Sequence, residues 1–363
     1  MWGLRITTVA IVLVAAAGVA TPAARAGWQD EPIIADVNGD GRADRNTLGT
    51  LPGTSDCAVR VELGRAGGGY GPARSYRYLT SVLYCPDMGV GLDLDSDPAN
   101  ELAVTWFAGP PPSIADTLLV LDDFAVSAGF DTITQPSYIG TADFNGDGRQ
   151  DVYEWTDQGD GFTTYLNTGT GTLTPGPVRY CSGRPQYHLA DFDADGAMDV
   201  ALAYAEGCGT YFTGVVVVLD DGTVVNLQGD AYGDDFWTVA VADVNGDGIL
   251  DVLTTSEVTG VQSVFIGTGT GTFVRAPTAI RDSPRVSAVR ATGIQVLAND
   301  FATSGTRVTI VTPPAHGTVQ VTTGRTVIYR PYPSHRASTD RFVYRLTDSG
   351  RTSNAAVSLR IAR

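Results

Sequence analysis

Five stretches of the chain carry oxygen-bearing side chains at alternate positions: Asp36-Val-Asn38-Gly-Asp40-Gly41-Arg42-Ala-Asp44, Asp93-Leu-Asp95-Ser-Asp97-Pro98-Ala-Asn-Glu101, Asp143-Phe-Asn145-Gly-Asp147-Gly148-Arg149-Gln-Asp151, Asp191-Phe-Asp193-Ala-Asp195-Gly196-Ala197-Met-Asp199 and Asp243-Val-Asn245-Gly-Asp247-Gly248-Ile249-Leu-Asp251. A hard cation such as Ca2+ takes six to eight oxygens at about 2.3–2.6 Å. Positions 1, 3, 5 and 9 can wrap side-chain oxygens around one ion, while position 7 (Arg42, Arg149, Ala197, Ile249) offers its carbonyl. A glycine at position 6 allows the sharp turn such a loop needs. Sulfur and imidazole are absent from all five, which argues against zinc, copper and iron, and Mg2+ suits an all-protein cage less well. The expectation is four to five structural Ca2+ ions.

The elements that position these loops follow from the flanks. Successive first aspartates lie 57, 50, 48 and 52 residues apart, so the loops belong to a repeated unit. A short apolar or aromatic run precedes most of them (Ile33-Ile34, Tyr138-Ile139, Tyr187-His188-Leu189, Val239-Ala-Val241), and strand-like runs follow, such as Glu101-Leu-Ala-Val-Thr-Trp-Phe107 and Asp199-Val-Ala-Leu-Ala-Tyr204. The third loop continues to Glu154 at position 12 and so fits an EF-hand literally, but no flank shows helical periodicity. Further on comes a glycine-rich turn between two strand-like runs, Leu166-Asn-Thr-Gly-Thr-Gly-Thr-Leu173 and Ile266-Gly-Thr-Gly-Thr-Gly-Thr-Phe273, with a looser version at Leu63–Tyr70. About four short strands fit each period, which is the arithmetic of a β-propeller blade.

The acidic loop followed by the Gly-x-Gly-x-Phe turn resembles the FG-GAP (VCBS-type) repeat, the blade of integrin α-chain propellers and of many secreted bacterial proteins, over roughly residues 28–280. The resemblance implies an all-β fold, here a propeller of about five four-stranded blades over residues 27–280, with metal-binding loops on one rim. Integrin propellers have seven blades. Five motifs imply either a five-bladed ring, which uses up the length, or a ring completed by degenerate blades or a partner. The second repeat departs most from the pattern, with Pro98 in place of glycine and Glu101 in place of the last aspartate.

Residues 1–26 read as a secretory signal peptide: Met1-Trp-Gly-Leu-Arg5 is basic, Thr7 to Ala20 is apolar, and Ala24-Arg-Ala26 precedes Gly27 as a small-x-small cleavage site. The apolar stretch is short for a transmembrane span and no second one exists, so export to the cell surface or medium without membrane insertion is expected. Four cysteines then imply two disulfides out of three possible pairings, and proximity favours Cys57–Cys85 and Cys181–Cys208, on the rim away from the acidic loops. Of the 40 acidic residues, 17 sit inside the five loops, so much of the formal charge of −16 is concentrated there and metal binding is coupled to folding. An acidic chain of this kind lacks the clustered positive charge that a phosphate-binding face needs, so no nucleic-acid partner is expected.

After Ile280 the acidic motif stops, and Arg281-Asp-Ser-Pro-Arg285 reads as a linker to a domain spanning 281–363. Strand-like runs at Gly293–Leu297, Arg307–Val311, Gly317–Val321, Thr326–Arg330, Arg341–Leu346 and Ala355–Ile361 indicate a β-sandwich. Leu297-Ala-Asn299-Asp300, Pro314-Ala-His316-Gly317 and Thr339-Asp340-Arg-Phe342-Val-Tyr344 resemble the bacterial Ig-like, cadherin-like repeat, which implies a spacer or adhesion module. None of the three histidines, His188, His316 and His335, lies in a nucleophile or zinc motif, and no Gly-x-Ser-x-Gly elbow is present. The expectation is a non-catalytic protein that binds an extracellular protein or glycan. Its ligand face would be the rim away from the acidic loops, where Arg184, Tyr187, Tyr232 and Trp237 offer aromatic faces and a polar group; blade packing is the competing role for these residues. The alternatives are a lectin-like or carbohydrate-active protein using that face, and a structural spacer.

Overall fold

The structure, a computed structural model, describes residues 32–107, 117–131, 136–156, 161–181, 184, 186–205, 209–333, 338–348 and 350–362. The signal-peptide reading of residues 1–26, Cys208, His335 and the Pro-rich segment 108–113 fall outside the described residues. Among those described there are strands and turns and no helix, which removes the EF-hand reading. Glu154 is buried within the strand Asp151–Trp155 and accepts a hydrogen bond from the Tyr165 hydroxyl.

Residues 33–275 fold into five four-stranded antiparallel sheets, each built from four strands in sequence order. In each blade the acidic loop joins the first strand to the second, and a tight turn joins the third to the fourth at the same end. Side chains alternate across each strand, so every blade has two faces. In the second strand, the residues one and three places after loop position 9 face the preceding blade and the residue two places after it faces the next. Leu102 and Val104 thus join Ile33 and Val59 of blade 1, whereas Ala103 joins Ile139 and Val152 of blade 3. Blades 3 and 4 share Phe144, Tyr153, Phe162, Leu202, Tyr204 and Val216, and blades 4 and 5 share Phe192, Val215, Val217, Trp237, Val252 and Phe265.

Among the described residues no core joins blade 5 to blade 1. The outer face of blade 1 carries Arg45, Thr47, Arg60, Glu62 and Arg77 in register, with Arg45 and Arg60 paired to Glu62 at 3.5 and 3.2 Å. Charged residues at a terminal repeat keep an end face in water. Apolar burial would need Leu or Val there, as at Leu102 and Val104.

Residues 285–362 form a two-layer sandwich, one sheet containing Arg285–Ser287, Arg307–Thr312, Thr339–Asp348 and Arg351–Ala362, the other Thr292–Ile294, Gly317–Val321 and Val327–Pro331. Its core is aromatic and aliphatic, with Tyr329, Phe342, Tyr344, Leu346 and Val357 fully buried. The segment expected to be a linker is instead hydrogen-bonded into the sandwich: Ser358 N–H donates to the Asp282 carbonyl at 2.9 Å, Arg360 N–H to that of Pro284 at 3.0 Å, and Arg285–Ser287 pairs parallel to Arg360–Ala362. A three-residue edge strand stabilised wholly by a distant partner leaves little local sequence signal, and Pro284 beside it reads as a break.

Acidic groups in this sandwich give it a pH dependence. Burial, then the neighbouring Asp300 charge, push the Asp282 carboxyl up to about 6, and burial raises Asp300 although it accepts from Ile280 N–H and the Tyr344 hydroxyl. A carboxyl raised above its unfolded value of about 3.9 stabilises the fold fully below that value and loses the contribution as pH rises through the folded one. Asp340 acts in the opposite sense lower down: against its burial, the N–H groups of Arg341, His316 and Ala315 and the Tyr329 hydroxyl hold its carboxyl below the usual range. The sandwich transition should therefore melt higher at pH 5 than at pH 7.5, and Asp282→Asn should flatten that difference in a calorimetric pH series.

Candidate metal centre

The five acidic loops share one hydrogen-bonded frame. Position 1 accepts from the position-6 N–H, with Gly41 to Asp36 at 2.6 Å, Gly148 to Asp143 at 2.8 Å, Gly196 to Asp191 at 3.1 Å and Gly248 to Asp243 at 2.9 Å. Pro98 has no N–H, so the second loop lacks this bond. Position 5 accepts from the position-7 N–H in all five, from Arg42, Ala99, Arg149, Ala197 and Ile249. These bonds fold the alternate side chains inward around one centre.

Two positions adopt left-handed backbone, position 6 in the four loops that carry glycine there and position 4 in all five. Position 6 was legible from its glycines. Position 4 was not singled out, yet it too lies at positive φ in every loop, as Gly39, Ser96, Gly146, Ala194 and Gly246. The Gly-Asp-Gly spelling of loops 1, 3 and 5 was the available signal; in loops 2 and 4 Ser96 and Ala194 adopt the strained region without glycine.

Position 9 behaves differently from the rest. Asp44, Asp151, Asp199 and Asp251 are fully buried and Glu101 nearly so. One oxygen of each accepts from the position-2 N–H, for example Phe144 to Asp151 at 2.7 Å and Val244 to Asp251 at 2.9 Å. In the four aspartate loops the other oxygen accepts from the N–H that opens the tight turn: Gly64, Asn167, Asp220 and Gly267, at 2.7–2.9 Å. A single buried carboxylate thus ties the acidic loop to the turn beside it. Burial pushes the carboxyls of Glu101 and Asp199 up to about 7 and those of Asp151 and Asp251 to about 6, against the backbone N–H groups that lower them.

Carboxylate oxygens converge most closely in loops 2 and 4. One oxygen each from Asp93, Asp95 and Glu101 lie within 4.8 Å of one another, as do oxygens of Asp191, Asp193 and Asp199, and of Asp193, Asp195 and Asp220. The loop that departs most from the repeat still brings three carboxylates together, the longer Glu101 reaching the cluster. Asp220 was missed in the sequence because it lies 29 residues after Asp191. Its signal was its place in the turn, where blades 3 and 5 carry Asn167 and Gly267. In loops 1 and 3 the position-7 arginine supplies an internal counter-charge, Arg42 to Asp40 at 3.6 Å and Arg149 to Asp147. In loops 1, 3 and 5 the side-chain amide of Asn38, Asn145 or Asn245 donates to the position-5 carboxylate. An all-oxygen donor set containing a buried, unpartnered Asp193 oxygen fits a hard divalent cation such as Ca2+.

Neighbouring loops also hold one another. Asn100 N–H donates to the Asp36 carbonyl at 2.6 Å and Met198 N–H to that of Asp143 at 2.8 Å. The Asn167 side chain donates to the Asp93 carbonyl at 2.7 Å and Gly171 N–H to that of Leu94 at 2.8 Å. Gly39 packs so closely on Pro98 that a Cβ there would come within 2.8 Å of the Pro98 Cβ. Ordering one loop therefore orders the next.

On the other rim, Cys57 and Cys85 form a disulfide across the start of the third strand of blade 1 and the entry to blade 2. Cys181 is also disulfide-bonded; its expected partner, Cys208, lies outside the described residues. Of the expected ligand-face residues, Tyr187 and Trp237 are packing residues. The Tyr187 ring stands 5.5 Å from that of Phe162 and its hydroxyl 3.3 Å from that of Tyr153, while Trp237 is 5% exposed between blades 4 and 5. Arg184 pairs with Glu257 and stacks 4.8 Å over Phe236. Tyr232 presents its ring to water at 85% exposure. His188 Nε2 lies 3.0 Å from the Val239 carbonyl of the next blade.

The family models agree with this architecture: residues 143–202 match the FG-GAP-like repeat, 236–270 the FG-GAP repeat and 275–360 the bacterial Ig domain. The chain thus carries FG-GAP repeats, a module of extracellular binding and adhesion proteins, followed by a bacterial Ig domain. No curated protein matches it. Among solved structures, it is similar to BT4661, a SusE-like surface-located polysaccharide-binding protein from the Bacteroides thetaiotaomicron heparin utilisation locus, at 11% identity and a TM-score of 0.20, covering 72% of this chain and 50% of that one. It is also similar to MfFcnA4_H294Q, an endo-fucoidan hydrolase of glycoside hydrolase family 107, at 11% identity and a TM-score of 0.21, covering 93% and 44%. The chain spans about half the length of these proteins or less, and at such TM-scores neither bears on its fold or its ligand. No helix among the described residues is long and apolar enough to cross a membrane.

Proposed function

We propose that the chain is an exported, non-catalytic binding or adhesion module whose blades are ordered by structural calcium. The observation that carries this reading is the convergence of carboxylate oxygens in loops built on one repeated frame, at the end of each blade and away from the disulfide rim. Cation binding there would fix the scaffold and leave the opposite rim free for a ligand. Residues 1–26 are removed on export in this reading, and the disulfide is consistent with an oxidising compartment. Equilibrium dialysis of the chain produced with its own leader tests it. Four to five Ca2+ per chain and an N-terminus at Gly27 are expected; fewer than two ions bound at millimolar Ca2+ would refute the calcium half, and a retained leader the export half.

A further inference from the structure

We infer that the disulfide rim of blade 4 carries a binding shelf for neutral glycans, formed by Tyr211, Phe212 and Tyr232; this rests on the reading of the protein as a binding module. Tyr211 and Phe212 enter the third strand of the blade, Thr213–Val218, and Tyr232 follows its fourth, Val224–Asp230. These strands pair antiparallel with Thr213 opposite Asp230 and Gly214 opposite Gly229, and Phe212 N–H continues the ladder to the Asp230 carbonyl at 2.9 Å. The pairing therefore brings the three residues to the blade end away from the acidic loop, where they are 41%, 49% and 85% exposed.

The shelf is built rather than incidental. The Tyr211 ring lies on Gly229 and the Phe212 ring on Gly233, so closely that a Cβ would come within 2.1 Å of Tyr211 Cδ2 and 2.5 Å of Phe212 Cδ1. Two glycines let the rings seat on bare backbone. The turn that presents Tyr232 is fixed by Asp230 Oδ1, which accepts from the N–H groups of Tyr232 at 2.7 Å and Gly233 at 3.0 Å. Below it, the Asp235 carbonyl accepts from Thr213 Oγ1 and its carboxylate from Ser256 Oγ, both at 2.6 Å. Backbone rigidity under solvent-facing rings lowers the ordering cost of binding.

The chemistry selects a carbohydrate. Aromatic faces carry negative quadrupole density that attracts the weakly positive C–H face of a pyranose. The neighbouring carboxylates, above all the exposed Asp234, accept hydrogen bonds from hydroxyl groups. Asp230, Asp234 and Asp235 flank Tyr232 in the chain, and Arg184 is already held by Glu257 and Phe236, so the segment opposes sulfated, carboxylated or phosphorylated ligands. Neutral polysaccharides combine hydroxyls with apolar ring faces and no charge.

Affinity electrophoresis of the calcium-loaded mature chain tests this, with amylopectin, galactomannan, xyloglucan and mannan in separate gels beside heparin and alginate. Retardation by at least one neutral polysaccharide is expected. The apparent affinity should fall at least tenfold in Tyr232→Ala and Phe212→Ala and be kept in Tyr232→Trp. Tyr232→Ala is decisive, because its exposed ring supports no core and its melting temperature should match that of the parent. Undiminished binding by that variant, retardation by the anionic polysaccharides alone, or none by any of the six would overturn the shelf. A calcium-dependent melt retained in the last case would leave the binding-module reading standing with a protein as its ligand.

Discussion

Chelation of calcium at pH 7.5 should lower the melting temperature of the blade transition by about 10–20 °C and leave the sandwich transition in place. A ligand present at 100 times its dissociation constant stabilises the folded state by about 2.7 kcal/mol per site. Loops 2 and 4, where three carboxylates already converge, would together supply about 5 kcal/mol, and 1 kcal/mol shifts the melting of a domain of this size by roughly 2–4 °C. The acidic repeats lie within residues 36–251, so the sandwich transition serves as an internal reference.

This effect should depend on pH in a definite direction. Without a cation, the raised carboxyls of Asp151 and Asp251, near 6, and of Glu101 and Asp199, near 7, stabilise the fold while protonated and lose that contribution as pH rises through those values. With a cation bound, the charged forms are the useful ones. The gap between calcium-loaded and chelated melts should therefore widen from pH 5 to pH 7.5. A gap that is constant, or widest at pH 5, would mean that these carboxyls do not take part in ion binding.

The fold was largely readable because it is repetitive. The acidic nonapeptide recurs five times and the glycine turn follows it at the same offset in blades 3 and 5, and a local signal repeated in this way outweighs the ambiguity of any one strand. The disulfide Cys57–Cys85 followed from sequence proximity. What escaped was whatever depends on partners distant in sequence. Asp220 approaches Asp193 and Asp195 only because the tight turn folds back beside the acidic loop. Arg285–Ser287 is a strand only because the chain end pairs with it. Tyr187 and Trp237 were candidates for a ligand face because aromatic residues beside a loop look alike whether they face water or the next blade; the alternation of each strand sends them inward. Tyr211 and Phe212, which do face water, drew no notice beside a segment of small residues.

Replacing Asp151 by alanine should cost about 2–6 kcal/mol even without calcium, a loss that a metal ligand alone would not produce. Its carboxylate accepts from the buried N–H groups of Phe144 and Asn167, and a buried donor left unpaired costs about 1–3 kcal/mol. The damage extends to the next sheet, because Asn167 in turn holds the Asp93 carbonyl of loop 2 and the Gln150 carbonyl beside it. Asp151→Asn keeps one carbonyl acceptor and buries no charge, so in chelator at pH 7.5 it should lose clearly less than the alanine variant. Calcium should stabilise neither variant as it does the parent, because both lack the anionic ligand, so the difference between the two should persist. Urea unfolding of both variants, with and without calcium, separates the roles. A cost below about 1 kcal/mol for Asp151→Ala in chelator would show that the carboxylate does not tie loop to turn. An asparagine variant as calcium-stabilised as the parent would show that its charge does not reach the ion.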